Sequence, residues 1–156
     1  AGRQTGPRRR CALHSRPMAT RTELLIEDDP ADALLARETL RDVAPDVAVV
    51  HATCGSDALA LLRAAPMRFD LVLVDLNLPG VDGVALLRAR RGEDALTCVP
   101  FVAFTTSASP HDLRAAYLAG ANAFVTKPAD LDDYGEVMRA TIAFWLGAAT
   151  SPHQDV

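Results

Sequence analysis

Lysine is nearly absent from this 156-residue chain. Of its 16 basic side chains only Lys127 is a lysine, and the rest are arginines. A compact, strongly hydrated ammonium kept at one place does a different job from a planar guanidinium, so its surroundings matter. Cysteine is scarce as well. Cys11, Cys54 and Cys98 are odd in number, widely spaced and without a C-x-x-C pair. That argues against a disulfide framework and a cysteine-held zinc, and suits a reducing, cytoplasmic setting. His14, His51, His111 and His153 form no ligand pair at helical or loop spacing. No apolar run is long enough to span a bilayer, and no apolar core follows the basic N-terminal segment as a secretory signal requires.

Positive charge is missing from the body of the chain. Residues 1–17 hold Arg3, Arg8, Arg9, Arg10 and Arg16 and no acid; without those five, 11 basic side chains face 20 acidic ones, a net −9. Such a surface repels nucleic acid. Residues 1–20 are expected to be a disordered basic leader, with Met18 reading as the native start, and residues 149–156 a flexible tail. Between them, 21–148 is one domain with a sizeable core, consistent with 49% hydrophobic content. With few residues after Gly147, no output domain is expected.

Along that body apolar runs alternate with helical patterns. Short buried strands are expected at Glu23–Ile26, Val47–Val50, Phe69–Val74, Pro100–Phe104 and Asn122–Val125. Pro30 opens a helix at the position proline tolerates, and Gly55-Ser56-Asp57 starts a second. A third runs from about Gly83 to Arg91, and a fourth from about Pro110 to Ala119, with Gly120 just past its end. The last begins near Asp130 and reaches about Leu146, carrying Leu131, Tyr134, Val137, Met138, Thr141, Ile142 and Trp145 on one broad face. Strict βα alternation implies an α/β domain, doubly wound, with a right-handed parallel sheet covered on both faces.

In such a fold the carboxyl ends of the strands converge on one crevice. Those ends are Glu27 and Asp28, Asp75, Thr105 and Lys127. Crowded carboxylates repel one another without a cation, and an oxygen-only donor set suits Mg²⁺. Asp75 beside a metal, a lysine and a hydroxyl has the parts for nucleophilic attack on a phosphoryl group, giving an aspartyl phosphate. Taken singly, each acid is more ordinarily a helix cap or a turn residue, and Asp29 and Asp82 are read that way.

Leu25-Ile26-Glu27-Asp28-Asp29, Val74-Asp75-Leu76-Asn77-Leu78-Pro79 through Asp82-Gly83, Thr105 and Lys127-Pro128 together resemble a response-regulator receiver domain of two-component phosphorelay signalling. The resemblance covers residues 22–146. It implies a flavodoxin-like (βα)5 fold with strand order 2-1-3-4-5. Asp75 would be the phosphoacceptor, and Mg²⁺ would be held by Asp28, Asp75 and the Asn77 carbonyl, with Glu27 assisting through water. Thr105 would bond the phosphoryl oxygen, Lys127 would pair with it, and Phe124 would occupy the aromatic switch position. The Lys127–Pro128 bond would be cis. The stretch from Gly120 to Pro128 and the closing Phe144-Trp145-Leu146 are similar to single-domain regulators of phytochrome-type histidine kinases. That implies a sensor histidine kinase as partner and a homodimer through the fourth helix, fifth strand and fifth helix, with Phe144 and Trp145 as candidate dimer-surface residues.

Other readings compete. A phosphate sink that drains its kinase uses the same residues, and an unphosphorylated interaction scaffold uses the same fold. Asp75-x-Asn77-x-Pro79 is similar to the motif of aspartate-nucleophile phosphatases. Here, however, the acidic pair comes first in the chain, Asn77 stands where the motif has its second acid, and no cap domain is expected. A flavin-binding module would need a hydroxyl- and glycine-rich phosphate loop that no segment supplies. The protein is therefore expected to be a switch that catalyses only its own phosphorylation and dephosphorylation.

Overall fold

The computed structural model describes residues 21–150. Expectations for the leader 1–20, Met18 included, and for 151–156 of the tail lie outside those residues. Five strands, β1 (Arg21–Ile26), β2 (Val47–Ala52), β3 (Leu71–Val74), β4 (Phe101–Thr105) and β5 (Ala123–Thr126), form one parallel sheet in the order β2-β1-β3-β4-β5. The expected strand order and βα alternation are both present.

Helices α1 (Pro30–Val43) and α5 (Leu131–Ile142) cover one face; α2 (Gly55–Ala64), α3 (Gly83–Arg91) and α4 (Pro110–Ala119) cover the other. The alternation of side chains along each strand sorts the core into two layers. Leu24, Ile26, Val72 and Val74 point to the α2–α4 layer, while Leu25, Leu71, Leu73, Val102 and Phe104 point to the α1/α5 layer. One residue breaks the apolar pattern. Glu23 is opposite Leu71 and Val49 and is fully buried, and neither carboxyl oxygen has a hydrogen-bond partner.

Helix starts follow local chemistry. Asp29 caps α1 by accepting from the Ala31 and Asp32 N–H groups at 2.9 Å, and Asp82 caps α3 by accepting from Ala85 N–H at 2.6 Å. Both acids do what the sequence reading assigned them. Gly120 ends α4 with φ 108°, a left-handed conformation that glycine adopts without steric cost. Arg90 is buried and donates to the carbonyls of Leu96, Thr97, Val99 and Gly120, its guanidinium 4.7 Å from the centre of the Phe101 ring. It ties the loop before β4 to the end of α4.

The last helix departs from expectation. After Ile142 the backbone loosens into a π-helical turn over Ala143–Ala148. Within it Leu146 is buried and Trp145 packs against the α1/α5 core, whereas Phe144 is 55% exposed, its ring 5.0 Å from that of Trp145.

Candidate functional site

The site grows from chain geometry at the carboxyl edge of the sheet. β1 and β3 are neighbours, so Glu27 and Asp75 leave the sheet side by side; β5 delivers Lys127 from two strands away. Lys127 is positioned by its own backbone, whose N–H donates to the Thr105 carbonyl at 2.8 Å. Its Nζ then donates to Glu27 Oε2 (2.5 Å), Asp75 Oδ2 (3.0 Å) and Asp32 Oδ2 (3.2 Å), so each ammonium hydrogen has a carboxylate. Glu27, Asp75 and Lys127 are all buried, and the Phe104 ring centre lies 5.7 Å from Nζ.

Two backbone N–H groups complete the first two carboxylates. Asn77 N–H donates to Asp75 Oδ1 and Asp29 N–H to Glu27 Oε1, both at 3.0 Å. The turn after β3 is tight because α3 starts directly against it. A Cβ on Gly83 would come within 2.3 Å of the Asp75 carbonyl oxygen and 2.7 Å of Leu76 Cα. Only glycine lets that helix approach, and Asp82-Gly83 is therefore part of the frame that aims Asp75. On the other flank, His51 Nε2–H donates to the Glu27 carbonyl at 2.8 Å.

Electrostatics follow from this packing. Burial pushes the Asp75 pKa up, but the Asn77 N–H and the Lys127 ammonium outweigh it, so the carboxyl is held below its ordinary value and ionised. Burial works against the Lys127 charge too, yet the bond to Glu27 and the charge of Asp75 dominate and raise its pKa. Glu27 goes the other way, burial outweighing Lys127 and raising it.

The carboxylates of Glu27, Asp32 and Asp75 offer oxygens within 4.8 Å of one another. Three carboxylates share one ammonium, and three hard oxygen donors fit a divalent cation. Asp32 is an addition to the expected ligand set. Asp28 is exposed and outside this group. Neighbouring side chains on an extended backbone point opposite ways, so once Glu27 turns inward Asp28 turns out. Asp29 then caps α1, and the first helical turn brings Asp32 back over Glu27. The sequence reading did not single out Asp32; an acid three residues after a cap, on the side of a buried acid, was the available signal.

One expectation needs correction, at Pro128. No cis peptide bond is present among the described residues, so Lys127–Pro128 is trans. The two isomers of an X–Pro bond differ by only about 0.5–1 kcal/mol, and the trans chain already gives Lys127 its backbone and side-chain partners.

Thr105 is fully buried at the end of β4, and its Oγ1 accepts from Ser107 N–H at 3.3 Å. Ser107 Oγ in turn donates to Asp112 on α4 at 2.6 Å and accepts from Ser109 N–H, so the Thr105 loop is hydrogen-bonded to the start of α4. Phe124 is half-buried and packs against the α2–α4 core. Asn77 is exposed.

A parallel five-stranded sheet with paired acids on its first strand end, an acid on the third, a hydroxyl on the fourth and a lysine on the fifth defines a class of signalling domain. A family model described as a response regulator receiver domain matches residues 24–139, and the chain belongs to that family. Its relatives narrow the picture. Response regulator Rcp1 of Synechocystis sp. is 33% identical over 134 residues, 83% of this chain and 91% of that protein. The crystal structure of the phosphorylated cyanobacterial phytochrome response regulator RcpA superposes with a TM-score of 0.80 at 34% identity, covering 86% of this chain and 99% of that one. The Mn²⁺-bound form of Rcp1 superposes at 0.75 with 32% identity, covering 85% and 99%. No helix among the described residues is long and apolar enough to cross a membrane.

Proposed function

We propose that this protein is a phosphorylation switch in which Asp75 accepts a phosphoryl group from the phosphohistidine of a sensor kinase. The observation that carries the reading is the buried Lys127 ammonium bonded to both Glu27 and Asp75 at the sheet edge. Asp75, ionised at neutral pH, attacks phosphorus through a carboxylate oxygen. An O–P bond forms, the P–N bond to the kinase imidazole breaks, and the imidazole takes up a proton. Lys127 offsets charge on the phosphoryl oxygens throughout. Mg²⁺ is the proposed cofactor and, when bound, neutralises charge on the transferring group. Asp28, Asp75 and the Asn77 carbonyl would hold it, with Glu27 assisting and Asp32 a further carboxylate facing the same edge. The Mn²⁺-bound relative supports a divalent cation of this kind.

Signalling follows from the hydrogen bonds around Thr105. A phosphoryl oxygen within its reach would accept the Thr105 O–H and draw in a hydroxyl whose oxygen already accepts from Ser107 N–H, and Ser107 is bonded to Asp112 on α4. A change at Asp75 therefore has a short bonded path to α4, and Phe124 re-packs beside it. The readout is a protein–protein contact on α4, β5, α5 and the π-helical turn that follows, where Leu113, Tyr117 and Leu118 of α4 and Phe144 of the turn are exposed; a second copy is the proposed partner there. The domain boundary is placed at 21–148, in the cytoplasm. The phytochrome relatives favour a light-sensing kinase upstream.

Beryllofluoride with Mg²⁺ mimics a phosphoryl group on an aspartate. Added to the wild type, it is expected to move the backbone amide resonances of Thr105, Phe124 and Lys127, and to leave them in place in Asp75→Asn. A wild type whose resonances stay still would favour the scaffold reading instead.

A further inference from the structure

We infer that Asp32 is a positioning residue: it holds the third hydrogen of the Lys127 ammonium in the resting state and yields it to the incoming phosphoryl group. The inference rests on the phosphoacceptor reading of Asp75 and adds a regulator to it.

Lys127 has three N–H bonds to give, and all three are taken. A phosphoryl oxygen arriving on Asp75 can pair with the ammonium only by displacing an existing partner. The three carboxylates differ in how readily they let go. Glu27 and Asp75 are buried, their side chains 3% and 8% exposed, and water cannot take over their hydrogen bonds. The Asp32 side chain is 41% exposed and its bond, at 3.2 Å, is the longest of the three. Once released, it is solvated at once, so breaking this contact costs what an exposed ion pair costs. Asp32 also stands on α1, an element whose carboxylate is free to swing out, and not on the strand ends that fix the other two.

Before phosphorylation, then, Asp32 keeps Lys127 fully bonded; afterwards the phosphoryl oxygen replaces it. The resting contact is lost on activation and so opposes it. Removing the Asp32 carboxylate leaves an ammonium hydrogen ready for the phosphoryl oxygen and biases the domain toward the activated state. The same carboxylate is one of three facing a cation, so its loss weakens metal binding while favouring the phosphoryl mimic once metal is saturating.

Two readouts test this on the full chain. The first is beryllofluoride affinity at saturating Mg²⁺, which is expected to rise about two- to fivefold in Asp32→Ala, the size an exposed pair supports, and to return to the wild-type value in Asp32→Glu. The second uses the single lysine of the chain, which gives one side-chain ammonium resonance. Without any ligand, that resonance in Asp32→Ala should move part of the way toward its beryllofluoride-bound position, with Asp32→Asn between the two. Mn²⁺ affinity by calorimetry should fall in Asp32→Ala. A purely structural role at the start of α1 would lower the melting temperature and leave the ammonium resonance where it was. An unmoved resonance, or an unchanged beryllofluoride affinity, overturns the inference alone. A wild type that binds no beryllofluoride overturns the phosphoacceptor reading and this inference together.

Discussion

Lys127→Met is expected to destabilise the metal-free domain by about 3–5 kcal/mol, the cost of stranding buried carboxylates without their cation. The expected fall in melting temperature is on the order of 10 °C for a domain of this size. Glu27, Asp75 and Asp32 lose a shared donor in one step, and no other positive side chain bonds to any of the three among the described ion pairs. The variant should also acquire a pH dependence. In the wild type the ammonium holds Asp75 ionised, and its pKa, raised above the ordinary 10.5, keeps it charged across the neutral range. Its contribution is therefore complete below pH 10.5 and is lost only as pH rises through the higher folded value. Without it, the stranded acids bind protons more tightly folded than unfolded, so relative to wild type the variant loses stability as pH rises from 5 to 8. A divalent cation should restore much of the loss, because removing one positive charge deepens the field it binds in. Thermal melts at several pH values, with and without Mg²⁺, check all three effects. A variant as stable as wild type in the absence of metal would contradict the geometry of the site.

Glu23→Leu is expected to stabilise the protein at neutral pH by about 2–4 kcal/mol. Burial raises the Glu23 pKa from the ordinary 4.5 to about 8, with no cation or donor to offset it. The sign follows directly. The folded state keeps the proton while the unfolded chain gives it up above pH 4.5, so stability is greatest below 4.5, falls as pH rises and levels off above about 8. At pH 7 the shortfall is about 2.5 pKa steps at 1.36 kcal/mol each, before relaxation reduces it. Leucine at this place meets Leu25, Leu71 and Val49 in the same apolar layer. The gain over wild type, read from urea melts, should grow from pH 5 to 8.5. A difference that is flat with pH would mean that Glu23 is ionised or paired in the folded state.

Much of this was legible before the structure. Alternating apolar runs placed five strands within a few residues, and the parallel sheet did the rest, because strand ends far apart in sequence have only one edge on which to meet. Glu27, Asp75 and Lys127 could be joined that way without any knowledge of side-chain geometry. Asp32 could not, since a helix acid one turn past a cap looks like a favourable partner for the helix dipole. Its approach to Lys127 depends on the angle at which α1 leaves β1. Glu23 fell within a strand read as buried, but its cost depends on register, on meeting Leu71 and Val49 with no donor within reach. The two faces of Phe144 and Trp145 likewise depend on the π-helical turn, which shifts their angular spacing away from that of an α-helix. Pro128 was a matter of resemblance and not of physics, and there the structure differs.

The central claim is that Asp75 is a working phosphoacceptor, and intact mass tests it most directly. The wild type and Asp75→Asn would be incubated side by side with acetyl phosphate and Mg²⁺. The account requires one added phosphoryl group on the wild type, lost on chelation of the metal and absent from the variant. No adduct on the wild type, or the same adduct on Asp75→Asn, would contradict it.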